Sequence, residues 1–488
     1  MKTLLRLFFF VACISILAAC DKSDKFFDYS SDYSSTNATL KCAPFNSHVI
    51  LVAPNGTDDT YNLQQAFERA KAAGSGSVVK LVKGEYHLGF IEIREFSGAF
   101  IGAGKGKTII TANKGLATGD ISSIGELPVL IKFVGGDITI LDMTIQTPEG
   151  YCGINDDLYG LLLFSDYNVQ YESKKSYIKG SVDNVEFIGH LGGYGGWYNC
   201  YYGILATHDN NTGSKFSNID MTVINCTFNT LGWGINMTLI NKGRLITGAR
   251  DRGNIFTNCY EGASFWCNID NVEISITGNT FNIPPWSYGS DVDNGWPLYS
   301  ALELQTKAPL VNIEGNIYNK TGGEMTWEVS ANWVHDYQNS IHPEVNLPML
   351  MSIRNNLLNL DQTAMGMTLI STKNVVVSNN KFTGNGYYGI YAFVGCQCGS
   401  FSENGRIIGN NFHQANFSMA AVYLDATTKN WIVAGNFGGS IENDGINNVI
   451  RGMNVVSGIA KQSLLKSAGI GSLNLGPSRR KGLTPGSY

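Results

Sequence analysis

Two glutamates stand where a pair of carboxylates could act together. Glu303 lies in Ala-Leu-Glu-Leu-Gln at Ala301–Gln305, and Glu328 in Thr-Trp-Glu-Val-Ser at Thr326–Ser330. Each acid is flanked by apolar residues, Leu302/Leu304 and Trp327/Val329. Successive side chains of a strand point to opposite faces, so a core that takes the flanking pairs leaves both acids outside. On adjacent strands, about 4.8 Å apart, like charges repel and one pKa of the pair rises. A proton, a cation or a substrate between them relieves this. Carboxyls about 5 Å apart suit a retaining glycosidase, one as acid and one as nucleophile. The same pair could hold calcium together with Gln305 and a loop aspartate, Asp291 or Asp293. The competing reading is two solvated glutamates that splay apart.

Adjacency depends on the elements that carry these runs, and the chain is repetitive. A short phrase reads I-T-G-N-T-F at Ile276–Phe281, I-E-G-N-I-Y at Ile313–Tyr318 and I-R-N-N-L-L at Ile353–Leu358. It returns as V-S-N-N-K-F at Val377–Phe382 and I-I-G-N-N-F at Ile407–Phe412. Looser copies centre on Met143, Val185, Cys226, Asn254 and Asn436. The spacing runs from 24 residues (Asn356 to Asn380) to 42 (Met143 to Val185), a short unit with insertions. Each phrase alternates apolar and polar with period two, which is a strand signal. Between the phrases, stretches of helical period are missing. Short strands repeated at this interval stack into a parallel β-helix. The recurrent Asn then forms a ladder at a bend, its amide donating to one coil and accepting from another.

The phrase resembles the repeat of the pectate lyase-like superfamily, and Asn55–His87 resembles the N-terminal cap of pectate lyase-type and tailspike-type β-helices. The resemblance spans Val52 to Val455. It implies an all-β, right-handed parallel β-helix with a short capping helix. It implies no single reaction, because that superfamily holds lyases, hydrolases, epimerases and binding proteins. The closely spaced aspartates with Gly-His-Gly of polygalacturonase-like hydrolases are absent, and the outward column of the coils shows no Lys/Arg pair of the kind in calcium-dependent pectate lyases.

Within such coils the second strand has apolar inward pairs. They are Ile204/Ala206, Ile235/Met237, Ala263/Phe265, Leu302/Leu304, Trp327/Val329, Met367/Leu369, Ile390/Ala392 and Val422/Leu424. The outward column between them reads Leu205, Asn236, Ser264, Glu303, Glu328, Thr368, Tyr391, Tyr423. The next reads Thr207, Thr238, Trp266, Gln305, Ser330, Ile370, Phe393, Asp425. Aromatic-rich insertions adjoin this face: Gly189–Tyr202, Asn282–Tyr299 with Trp286 and Trp296, and Ser330–Pro348 with Trp333 and His335. Flat rings stack on sugar faces while Asn, Gln and Glu bond hydroxyls. Asn236, Trp266, Gln305, Trp296, Trp333, Tyr391 and Tyr423 are therefore candidate substrate-binding residues, and Glu303 and Glu328 candidate catalytic ones. Alternatively, the aromatics are loop cores. His208 and His335 read as loop residues.

The chain has 488 residues, with a net charge of −5 and no basic run, so nucleic acid is not an expected partner. Met1–Cys20 carries Lys2, Arg6 and an apolar core too short to span a membrane. Leu17-Ala18-Ala19-Cys20 resembles the lipobox of bacterial lipoproteins, which implies lipidation at Cys20 and an outer-membrane or surface location. The charged residues after it resemble surface-export signals of some Gram-negative bacteria. Residues 21–46 read as a polar tether, 47–115 as cap and first coils, 116–455 as the solenoid and 456–488 as a tail. In the cap, Asp58 and Asp59 can start a helix at Thr60–Ala73 with Leu63, Ala66, Phe67 and Ala70 on one face. Cys226 reads as a small buried filler. A monomer is expected, with calcium the one cofactor suggested. Three functions remain open: a polysaccharide-cleaving or -modifying enzyme (hydrolysis or β-elimination), a non-catalytic glycan-binding, adhesin-like surface protein, or a purely structural cell-envelope protein.

Overall fold

The computed structural model describes residues 48–113, 129–147, 160–166, 177–189, 202–207, 216–268, 271–283, 300–306, 308–321, 330–336, 350–361, 364–394, 401–452 and 454–456. The chain divides into Met1–His48 and Val49–Tyr488. Cys20, the tether and residues 457–488 lie outside the described residues. Among the described residues no helix is long and apolar enough to cross a membrane.

The helix Thr60–Ala73 has no Gly or Pro and buries the expected face of Leu63, Ala66, Phe67 and Ala70. Asp58 Oδ1 accepts the Thr60 N–H at 2.9 Å, satisfying a donor at the helix start. Asp59 ties that start to the first coils instead, accepting from the N–H groups of Asn55 (2.8 Å) and His87 (3.2 Å). Phe67 meets Phe96, Phe100 and Phe133 edge-on, with centroids 5.1, 5.2 and 5.8 Å away. The helix thus plugs the open end of the solenoid with a ring.

Beyond it every strand pairs in parallel with its counterpart one coil on. The first sheet contains, for example, Asn271–Thr277, Leu310–Glu314 and Leu350–Arg354. The second contains Thr280–Ile283, Ile317–Thr321 and Leu357–Asp361. The third contains Glu261–Asn268, Leu302–Thr306, Ser330–Asp336 and Met365–Ile370. Lys381–Phe393 and Asn411–Leu424 run through both the second and third sheets.

The bend between first and second sheets explains the repeated phrase. The residue before every column position from Cys226 onward, except Gly253 before Asn254, takes a left-handed backbone: Asn225 (φ 54°), Gly278 (69°), Gly315 (66°), Asn355 (56°), Asn379 (54°), Gly409 (68°) and Gly435 (62°). Gly and Asn are the residues that tolerate this conformation, hence the Gly-Asn and Asn-Asn pairs. The second residue of each pair is buried and forms the expected column of Asn254, Asn279, Asn316, Asn356, Asn380, Asn410 and Asn436. Each Nδ2 donates to the next Oδ1 at 2.9–3.1 Å from Asn254 through Asn410. Each also donates to a carbonyl of the coil before, as Asn316 does to Ile276 O at 2.9 Å. Every rung therefore joins three coils. Cys226, with no amide, begins the run by donating its backbone N–H to Asn254 Oδ1 at 2.9 Å. Earlier coils fill the column with Met143 and Val185.

Two residues past this column the interior holds a second file of rings. Phe187, Phe228, Phe256, Phe281 and Tyr318 stack with centroids 4.7–5.0 Å apart and planes within 7°. Leu358 interrupts the file, and Phe382–Phe412 resume it at 4.6 Å. These rings demand small residues where the third sheet begins. A Cβ on Gly262 would lie 2.5 Å from the Phe281 ring and 2.6 Å from Ala301 O. This is why short apolar runs such as Gly-Ile-Asn-Met at Gly234 begin with glycine.

Candidate functional site

The third sheet turns one face to the core and the other outward. Its inward pairs Ile204/Ala206, Ile235/Met237, Ala263/Phe265, Leu302/Leu304, Met367/Leu369, Ile390/Ala392 and Val422/Leu424 are all buried in the interior cluster. The outward column, followed through the strand register, reads Leu205, Asn236, Ser264, Glu303, Trp333, Thr368, Tyr391, Tyr423, Glu442.

One coil differs from expectation. Trp333, not Glu328, pairs with Glu303, and His335, not Ser330, pairs with Gln305. Glu328 itself lies outside the described residues. The positions paired with Leu302 and Leu304 are Asn332 and Val334. A search for two apolar flanks settles on Trp327/Val329 and misses a strand that carries Asn at one of those positions. The two-glutamate adjacency therefore does not hold in this register.

Glu303 is fully covered, at 0 % exposure, although it lies on the outward column. Glu261, on the preceding coil, is also at 0 % and accepts the Trp233 Nε1–H at 2.8 Å through Oε2. The Trp233 ring stacks on Tyr202 at 4.8 Å and meets Trp266 edge-on at 6.4 Å. Asn236 donates from Nδ2 to Ser264 Oγ at 2.9 Å. Two buried atoms here have no hydrogen-bond partner, Asn236 Oδ1 and Trp266 Nε1. One is an acceptor and one a donor.

Toward the C-terminal coils the face becomes aromatic. Tyr387, Tyr388, Tyr391, Met365 and Met419 form a cluster separate from the interior core, with Phe393 and Tyr423 packed against it. Tyr391 stacks on Tyr423 at 5.0 Å and 10°, and on Phe393 at 4.4 Å and 19°. Tyr388 stacks on both Tyr391 and Tyr423 at 5.3 Å. Burial and the nearby carboxylates push the Tyr388, Tyr391 and Tyr423 hydroxyls well above the usual tyrosine range, so they are neutral at any physiological pH. Tyr387, Tyr388 and Glu442 belong to this face and were not singled out in the sequence. Their signal was present in Tyr-Tyr-Gly-Ile-Tyr-Ala-Phe at Tyr387–Phe393.

The side chains of Gln305, Trp333 and His335, and all of Trp296, Asp291 and Asp293, lie outside what is described. Among the described residues no group of three or more His, Cys, Asp or Glu is placed to hold a metal ion, so the calcium set expected around Gln305 has no described counterpart.

The described strands form a parallel β-helix. No family model matches the chain, and no curated protein matches it. Among solved structures, the chain is similar to the Azotobacter vinelandii mannuronan C-5 epimerase AlgE6 A-module, at 14 % identity and TM-score 0.42, covering 79 % of this chain and 96 % of that one. It is similar to the catalytic domain of a GH87 alpha-1,3-glucanase, at 12 % and 0.47, over 86 % and 68 %. It is also similar to PfbA, a surface adhesin of Streptococcus pneumoniae, at 16 % and 0.45, over 77 % and 93 %.

Proposed function

We propose that the protein is an extracytoplasmic, carbohydrate-active β-helix that binds a polysaccharide along the outward face of its third sheet and cleaves or modifies it there. The observation that carries this reading is the ring stack of Tyr388, Tyr391, Tyr423 and Phe393, built outside the core on a rigid sheet. Tyr388 and Tyr391 are buried within the stack, while the half-buried Tyr423 and Phe393 offer apolar surface of the kind sugar C–H faces cover. The partnerless Asn236 Oδ1 and Trp266 Nε1 add an acceptor and a donor to the same face. Glu303 is the candidate acid, and lipidation at Cys20 the proposed means of retention at the membrane.

A second reading, a non-catalytic glycan-binding surface protein, is favoured by the register that pairs Glu303 with Trp333. One experiment addresses both. The full-length chain is incubated with a panel of polysaccharides, and reducing ends and unsaturated products are measured beside binding. Turnover lost in Glu303→Gln with binding retained supports the enzyme. Binding without any product, weakened by Tyr423→Ala, supports the second reading. Absence of both overturns the carbohydrate assignment.

A further inference from the structure

The ring stack carries a sign of charge, and that sign restricts the polymer. Three carboxylates border it. Asp444 Oδ2 accepts the Tyr423 hydroxyl at 3.3 Å. Asp425 sits one residue past the paired Leu424, where its Oδ1 is fixed by the Thr427 N–H at 2.8 Å and hydroxyl at 2.7 Å. Glu442 follows Tyr423 in the outward column and is 5 % exposed.

Their fields reach across the rings. Asp425, Asp444 and Glu442 each disfavour the Tyr423 phenolate, and Asp425 and Glu442 that of Tyr391, after the larger effect of burial. Among the described residues, no Lys or Arg occupies the outward column from Asn236 to Glu442, or the column two residues on, from Thr238 to Asp444. A chain of uronic acids laid on these rings would bring a carboxylate on nearly every sugar toward three fixed ones. Within about 10 Å, the screening distance at 0.1 M salt, such charges repel. Neutral sugars meet no such term, and an amino sugar gains from it.

We infer that the face takes a polysaccharide of uncharged or amino sugars and rejects polyuronates. The inference rests on the reading of this face as a glycan site. It names the polymer class that the aromatic platform alone leaves open.

The test is calorimetric titration of the full-length chain, in detergent at low ionic strength. The panel contains neutral glucans, xylans and mannans, chitosan oligomers with their N-acetylated forms, polygalacturonate and alginate. The expected tightest ligand carries no carboxylate. It should weaken about tenfold in Tyr423→Ala, the equivalent of about 1.4 kcal/mol, and be restored in Tyr423→Phe, which keeps the ring. Comparison of chitosan with its acetylated form separates amino-sugar from neutral-sugar recognition. A polyuronate as the tightest ligand, lost in Tyr423→Ala, overturns the charge argument while leaving the glycan site standing. Binding by no member of the panel, or affinity indifferent to Tyr423→Ala, overturns the site and the inference together.

Discussion

Replacing Asn316 by Ala tests how the frame is held. Its Oδ1 accepts the backbone N–H of Asn279 at 2.9 Å and the Asn279 amide at 3.0 Å. Its Nδ2 donates to Ile276 O at 2.9 Å and to Asn356 Oδ1 at 3.1 Å. Truncation leaves the Asn279 N–H without a partner and removes a donor from the Ile276 carbonyl, both buried away from water. At about 1–3 kcal/mol for each buried group left unsatisfied, the cost is roughly 2–6 kcal/mol. The protein contains its own control. A parallel file runs along the surface of the second sheet, where Asn319 Nδ2 donates to Asn282 Oδ1 at 2.7 Å and Asn359 Nδ2 to Asn319 Oδ1 at 2.7 Å. Water can replace those bonds, so Asn319→Ala should cost about 0.5 kcal/mol or less. Native-state hydrogen exchange is the suitable assay, because solenoids open locally and need not melt as one unit. Exchange at the Asn279 amide should accelerate about 30-fold or more in Asn316→Ala, the equivalent of about 2 kcal/mol, and hardly change in Asn319→Ala. Equal effects at the two positions would refute the claim that burial of the ladder, not its amide chemistry, supplies the stability.

Lys320 lies in the interior between Ile283 and Leu360, and burial pushes its ammonium down to about 7. Between pH 7 and the ordinary lysine value the unfolded chain binds a proton that the native chain lacks, so stability rises with pH across that window and the penalty is full below it. Lys320→Met should therefore stabilise by up to several kcal/mol near pH 6, and the gain over wild type should shrink toward pH 10 in chemical denaturation; a pH-independent difference would show that charge burial is not the cause. Burial also pushes the Cys226 and Cys259 thiols up to about 12. Neither should react with a thiol-specific reagent at pH 8 until the coils open, as mass spectrometry of labelled peptides would show. Cys20→Ser should yield an exported chain that no longer partitions into detergent, and partitioning equal to wild type would exclude lipidation there.

The frame was legible in the sequence because its signals are local and repeated. Column positions at Asn279, Asn316, Asn356, Asn380 and Asn410 recur beside a strand pattern, and an amide is suited to such a bend because it donates to one coil and accepts from another. What the letters did not reveal was that adjacent Gly-Asn or Asn-Asn residues have separate tasks, one setting a left-handed backbone and one bridging coils. The site was harder to read. Its column came out correctly at Asn236, Ser264, Glu303, Thr368, Tyr391 and Tyr423 because apolar residues flank each one. It slipped by five residues at Trp333, where Asn332 breaks that rule and a rival run at Trp327–Val329 obeys it. Covering of Glu303 could not be foreseen either, since alternation tells which face a side chain takes and not what lies over it.

The rungs of the ladder are 25, 37, 40, 24, 30 and 26 residues apart along the chain, yet each is one hydrogen bond from the next. Chain length between rungs is therefore uncoupled from the pitch of the solenoid. Extra residues leave the frame where they join and return without stretching it, and closing a longer excursion costs little, about 0.6 kcal/mol for each doubling. Natural variation can thus lengthen, shorten or rewrite the segments beside the third sheet while Asn, Phe and Gly keep their appointments. Selection on what the surface recognises and selection on whether the chain folds act on different letters of the same repeat.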